Sequence, residues 1–210
     1  MMFRNREEAG GRLAGLLAER YRDAEGVVYA LPRGGVPLGA AVARELQMPL
    51  DLVIPRKIGH PGNPEYAVCA VTEGGELLCD EFERTYLDED WLARRAREEV
   101  GEARRRRECY LAGRESLAVK GKLAIVVDDG IATGLTMRAA ILDLKARRPA
   151  RIVVAIPVIP ADTFELLQTE VDEVVAILVE PNYLGAVGSY YMDFPQLDDR
   201  DVVELMAVQR

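Results

Sequence analysis

A chain of 210 residues with 49% hydrophobic content can bury one sizeable core and suggests a single domain spanning 1–210. No apolar run is long enough to cross a bilayer, and Met1-Met-Phe-Arg-Asn5 opens no signal-type segment, so a cytoplasmic protein without a membrane partner is expected. The net charge of −8 argues against bulk binding to nucleic acid, and the three cysteines, Cys69, Cys79 and Cys109, lack metal or redox spacing and are expected as buried or incidental thiols.

Residues 5–21 predict an amphipathic helix. Asn5 and Glu8 have capping-box spacing, and Ala9, Leu13, Leu16 and Leu17 line one face. A turn at 23–26 leads to a strand at 27–31, the loop Pro32-Arg-Gly-Gly-Val-Pro-Leu-Gly39, and a helix at 40–46. That loop is a candidate anion site: Gly34 and Gly35 permit close ligand approach, and Arg33 supplies a fixed cationic fork. Residues 50–55 predict a buried strand ending in two adjacent cations, Arg56 and Lys57.

Residues 58–66 hold His60, Pro61, Gly62, Asn63 and Pro64 and predict a breaker-rich loop. His60, the only histidine, reads as a surface side chain before a catalyst. Residues 67–72 and 76–79 predict a hairpin around Glu73-Gly-Gly75. Residues 87–113 predict one long helix. Its basic run at 104–107 sits beside Glu98, Glu99 and Glu102, the pattern of a solvated, salt-bridged face and not of a nucleic-acid patch.

The richest stretch follows. Leu123–Val127 predicts a strand buried on both faces. Asp128 and Asp129 come next, then a small-residue turn from Gly130 to Thr136 and a helix at 136–145. A loop that ends at a helix N-terminus aims free N–H groups at one spot, where the helix dipole favours an anion. Gly134 lets the backbone approach, and Thr133 and Thr136 add hydroxyls. This is a phosphate cradle without the Gly-Lys-Ser/Thr ending of the nucleotide P-loop or the Gly-x-Gly-x-x-Gly of dinucleotide sites. Two carboxylates beside it suit a ribose diol or a magnesium shell. A strand at 151–157, a helix at 161–168 and a strand at 173–178 complete an alternating β/α pattern around a parallel sheet. Residues 181–195 are irregular and aromatic, with Tyr183, Tyr190, Tyr191 and Phe194; a helix at 198–208, capped by Asp198 or Asp199, closes the chain.

Val126 to Thr136, VVDDGIATGLT, resembles the signature of type I phosphoribosyltransferases, which bind 5-phosphoribosyl-1-diphosphate (PRPP). The one departure is Gly130, where that family prefers an aliphatic residue or serine. The resemblance implies an α/β fold: a three-layer parallel sheet of about five strands flanked by helices, with a small hood from 181–210 and the N-terminal segment, and a flexible lid hairpin over about 58–80. It implies transfer of the phosphoribosyl group of PRPP to a nitrogen nucleophile, a nucleobase, with release of diphosphate and with Mg2+ as cofactor.

Carried onto this chain, the resemblance nominates Asp128, Asp129 and Lys57 as catalytic. Ala132, Thr133, Gly134, Leu135 and Thr136 would hold the 5′-phosphate, and Arg33, Gly34, Gly35 and Arg56 the diphosphate. Asp128, Asp129 and Asp193 would hold Mg2+, directly or through water. Among the aromatic residues of 183–194, Tyr183 is the expected acceptor wall. The base stays open. Enzymes for 6-oxopurines carry an Asp where this chain has Ala132 and a Lys after the preceding strand, where residues 157–162 have none. The loop looks closer to that of adenine phosphoribosyltransferases, whose hood is not matched. The partners implied are PRPP and a base, without nucleic acid; a homodimer is left open. The alternative is a non-catalytic regulator of the same fold that senses PRPP or a nucleotide.

Overall fold

The computed structural model describes residues 2–208; residue 1 and residues 209–210, the ends of the expected 1–210 span, lie outside the described residues. In chain order the elements are α1 (Arg6–Tyr21), β1 (Gly26–Ala30), α2 (Gly35–Leu46), β2 (Leu50–Leu52), β3 (Arg56–His60), β4 (Asn63–Val71) and β5 (Leu77–Cys79). They continue with α3 (Glu81–Arg84), α4 (Glu89–Leu111), β6 (Leu123–Val127), α5 (Leu135–Ala146), β7 (Arg151–Pro160), α6 (Ala161–Glu170) and β8 (Glu173–Glu180). A single 3₁₀ turn (Val187–Tyr190) and α7 (Asp199–Val208) follow. Among the described residues no helix is long and apolar enough to cross a membrane.

Five strands form one parallel sheet in the order β2-β1-β6-β7-β8. All five residues of β1 and of β6 are buried, which requires cover on both faces. Side chains alternate accordingly. Val28, Ala30, Ile125 and Val127 share a core with Leu13 and Leu17 of α1 and Val42 of α2. Val27, Tyr29, Ala124 and Val126 share the other with Ile141 of α5 and Leu167 of α6. From β1 the chain moves outward to β2, then returns to place β6 on the other flank of β1. The order therefore reverses between β1 and β6, the position where open α/β sheets bind ligands at their carboxyl ends.

A second, antiparallel sheet has the order β3-β4-β5. Ile58, Val68 and Val71 pack with Leu87 and Leu92 around α4. Ala70 packs on Leu135 and Ala139, which sets this sheet over the start of α5.

Several boundaries differ from the sequence reading. The strand expected at 50–55 ends at Leu52, and Arg56 opens β3 instead of closing β2. The loop expected at 58–66 is a hairpin, with only Pro61 and Gly62 as its turn. Two features make this compatible with its prolines. Gly59 has no Cβ to meet the Pro64 carbonyl, which stands 2.0 Å from that position. Pro64 also lies on the part of β4 that pairs with β3 alone, so its missing N–H breaks no second ladder.

The helix expected at 40–46 begins at Gly35, because Val36 and Leu38 bury and Pro37 is tolerated in a first turn. The helix expected at 87–113 begins at Glu89, where Asp88 caps it by accepting from the Trp91 amide at 2.7 Å. For α7 the cap is Asp198, which accepts from the Arg200 and Asp201 amides while Asp201 accepts from the Asp198 amide at 2.7 Å.

The cysteine expectation is corrected. Cys69 and Cys79 form a disulfide, and Cys109 is a free, exposed thiol. The two bonded residues face each other in the β4–β5 register with Cα atoms 4.0 Å apart. Hairpin register sets this proximity, and cysteine spacing alone does not display it.

Candidate active site

At the carboxyl end of β6 the chain turns sharply, and Asp128 Oδ1 accepts from the Asp129 amide at 2.8 Å. The loop is then tied to β7, where the Ile131 amide donates to the Val158 carbonyl at 2.9 Å. This explains Gly130. A Cβ there would stand 2.6 Å from Val187 Cγ1 and 2.9 Å from Val158 Cγ1. An aliphatic residue has no room where these two valines already fill the space. Gly134, at φ 76°, turns the loop into α5, a conformation that costs a residue with a Cβ more. No side chain caps α5, so its first amides are left open toward the loop.

A cleft of about 200 Å³ lies here, lined by Asp128, Asp129, the 130–134 loop, Thr136 and, from β3, Lys57. The Thr136 hydroxyl is buried and has no hydrogen-bond partner in the protein. An orphaned donor beside open helix N-terminal amides is a place suited to an oxyanion.

The turn after β1 packs against the acidic pair. Its Pro32–Arg33 peptide bond is cis. Gly34 and Gly35 pack directly under the acidic pair: a Cβ on Gly34 would lie 1.9 Å from Asp129 Oδ2, and one on Gly35 would lie 2.6 Å from the Val127 carbonyl oxygen.

The two carboxylates face different cations. Asp129 accepts from Arg6 Nε at 2.9 Å, with side-chain exposures of 13% and 10%. Asp128 has Lys57 on its side. Burial, and then the charge of Asp129, push the Asp128 carboxyl well above the usual carboxylate range, against the pull of Lys57. Burial also raises Asp129, with Arg6 opposing it most strongly.

Residues 4–180 match the phosphoribosyl transferase domain family. The chain belongs to this family. Two provisionally named phosphoribosyl transferases of Mycobacterium tuberculosis resemble it, MT0597 of strain CDC 1551 and Rv0571c of strain H37Rv. Each is 40% identical over 207 residues, covering 98% of this chain and 46% of the relative. The chain thus spans about half the length of the curated relatives it matches. The crystal structure of TT1426 from Thermus thermophilus is 42% identical, with a TM-score of 0.83 over 100% of this chain and 99% of that one.

Within this phosphoribosyl transferase domain, the residues nominated from sequence fall into two groups. Lys57, Asp128, Asp129, Ala132, Thr133, Gly134 and Thr136 meet in the cleft, and Gly34 and Gly35 lie against its acidic pair. The others turn elsewhere. The Leu135 side chain is buried against Ala70 and Ala139. Arg33 Nη1 stands 3.5 Å from Asp199 Oδ1, and Arg56 Nε donates to Glu99 at 2.9 Å. The exposed Asp193 is held through its amide, which donates to the Arg4 carbonyl at 2.9 Å.

Tyr183 does not line the cleft directly, although its hydroxyl feels the charge of Asp129. Its ring stacks on Tyr190 at 5.3 Å and packs on the core, and burial pushes its hydroxyl up to about 12. Val187, from the same 183–194 segment, and Ile131 line the cleft. Sequence reasoning missed Arg6, whose partner is 123 residues away. Its position at the first turn of α1 carries no local signal.

Among the described residues no group of three or more His, Cys, Asp or Glu could hold a metal ion, so Asp193 does not join Asp128 and Asp129 in such a cluster. The pair by itself still fits magnesium, which keeps several waters and is usually held by one or two carboxylates together with substrate phosphates.

Proposed function

We propose that this chain moves the phosphoribosyl group of PRPP to a nitrogen nucleophile, a nucleobase, and releases diphosphate. One observation carries the reading: the orphaned Thr136 hydroxyl and the open start of α5 share a cleft with Asp128 and Asp129. A single loop thereby offers a phosphate cradle and two acceptors for a ribose diol, the two ends of a ribose 5-phosphate.

In this reading the 132–136 backbone with Thr133 and Thr136 holds the 5′-phosphate, and Asp128 and Asp129 accept from the ribose hydroxyls. Lys57 and the Gly34–Gly35 turn face the diphosphate. Arg33 and Arg56 would reach it by exchanging Asp199 and Glu99 for the ligand. The bond from the anomeric carbon to diphosphate breaks as the bond to nitrogen forms, and the nitrogen's proton passes to the departing diphosphate or to water. The protein's part is to fix the ribose, balance the leaving charge and keep water out. Magnesium held by Asp128 and Asp129 would neutralise the diphosphate.

The 58–80 segment, which continues the strand that brings Lys57 to the cleft, is the proposed lid that closes over bound substrates. The test is diphosphate release from PRPP in the presence of magnesium and a panel of bases. A base-dependent signal supports transfer. PRPP binding without turnover for any base would support the regulatory alternative.

A further inference from the structure

The contacts that hold Asp129 form a closed ring. Arg6 Nε donates to Asp129 Oδ2 at 2.9 Å. The Arg6 guanidinium lies 3.7 Å from the centre of the Phe194 ring, and Phe194 packs on Tyr191 with ring centres 4.8 Å apart. The Tyr191 hydroxyl donates back to the Asp129 carbonyl at 2.6 Å. Arg6 also donates through Nη1 to the Pro195 carbonyl at 2.7 Å. The segment that carries the two rings is stitched to the N-terminus: the Phe3 amide donates to the Tyr190 carbonyl and the Met192 amide to the Phe3 carbonyl, each at 2.8 Å.

We propose that Arg6, backed by Phe194 and Tyr191, is a positioning residue that fixes the Asp129 carboxylate for the ribose hydroxyls of PRPP. The inference rests on the PRPP reading of the cleft. Asp129 stands beside a second buried carboxyl group, Asp128, so the direction its oxygens take depends on the partners that hold them. Arg6 supplies that hold from outside the cleft, since it is not among the residues lining it.

The chemistry of the pair favours geometry over stability. A buried ion pair seldom stabilises a fold more than apolar residues of equal volume would. Arginine is also specific to the task. Its planar fork can lie on the Phe194 face while its edge donates to Asp129 and to the Pro195 carbonyl, which an ammonium cannot do.

A double-mutant cycle separates this role from simple scaffolding. The variants are Arg6→Ala, Asp129→Asn and the two combined, titrated calorimetrically with magnesium–PRPP and, in magnesium-free buffer, with ribose 5-phosphate and inorganic diphosphate. Thermal unfolding of each variant is followed alongside. Arg6→Ala should weaken PRPP and ribose 5-phosphate roughly ten- to a hundredfold, the range of one charge-assisted contact. In the Asp129→Asn background the same change should cost no more than about twofold, and diphosphate affinity should move little in either.

If Arg6→Ala does not fold, Arg6→Lys, which keeps the charge and loses the fork, carries the same cycle. An equal loss in both backgrounds, or an equal loss for diphosphate, overturns the positioning role while leaving the PRPP reading intact. A wild-type chain that binds no PRPP overturns that reading, and this inference with it.

Discussion

Asp129 and Gly34 meet so closely that no side chain fits between them: the Asp129 Oδ2 atom stands 1.9 Å from where a Cβ on Gly34 would be. Gly34 has an ordinary backbone, at φ −60° and ψ −34°, so space and not conformation forbids alanine there. A carboxylate at the end of a free side chain could swing aside, but this one is pinned by Arg6. Gly34→Ala is therefore expected to cost about 1–3 kcal/mol of stability, the range of overpacking a well-filled site. It should weaken PRPP by about tenfold or more through the displaced carboxylate. Thermal unfolding and PRPP titration of the one variant check both; a normal affinity with normal stability would show that the loop yields.

Thr136 should give effects of opposite sign. Its hydroxyl is buried without a partner in the free protein, a state that costs free energy until a ligand fills it. Thr136→Val keeps the shape and removes the orphan. The expected result is equal or greater stability without ligand and about two- to tenfold weaker binding of ribose 5-phosphate, the worth of one neutral hydrogen bond. Reduced stability together with unchanged phosphate affinity would put the 5′-phosphate elsewhere.

The acidic pair makes stability depend on pH. The folded pKa of Asp128 is raised, by burial first and then by the charge of Asp129. Below the unfolded value of about 3.9 both states hold the proton and burial of the ionised group costs nothing. As pH rises from there through the folded pKa, the wild type loses that stability. Asp128→Asn, in magnesium-free buffer, should unfold at a higher temperature than wild type at pH 7, and the gap should close toward pH 4. For a chain of this size each kcal/mol moves Tm by about 2–4 °C. A constant gap across the range would remove Asp128 as its source.

The sequence displays what is local and hides what the fold brings together from a distance. Leu123–Val127 followed by Asp128, Asp129 and the 130–136 turn is a strand, an acidic pair and a helix start within one stretch, and all three stand in the structure as expected. The end of β2 is not legible, because Val53 and Ile54 continue the apolar run and are buried although the strand has ended. The β3–β4 hairpin is hidden by prolines whose missing donors fall where no second strand needs them. The partner of Cys69 depends on register, and the partner of Asp129 lies in the first turn of the first helix. Tyr183 stands out in the sequence because its ring sits in an irregular aromatic stretch. The structure stacks that ring on Tyr190, and the same segment meets the cleft through Val187 and the acidic pair through Tyr191 instead.

The central claim is that the loops after β1 and β6 together form a PRPP site. The most direct measurement is calorimetric titration of magnesium–PRPP into the wild-type chain and into the Asp128→Asn, Asp129→Asn double variant, with circular dichroism confirming that both are folded. Two charge-assisted contacts at about 1.5–3 kcal/mol each predict a loss of at least a hundredfold in affinity for the double variant. An affinity that stays the same in the folded double variant would contradict the account.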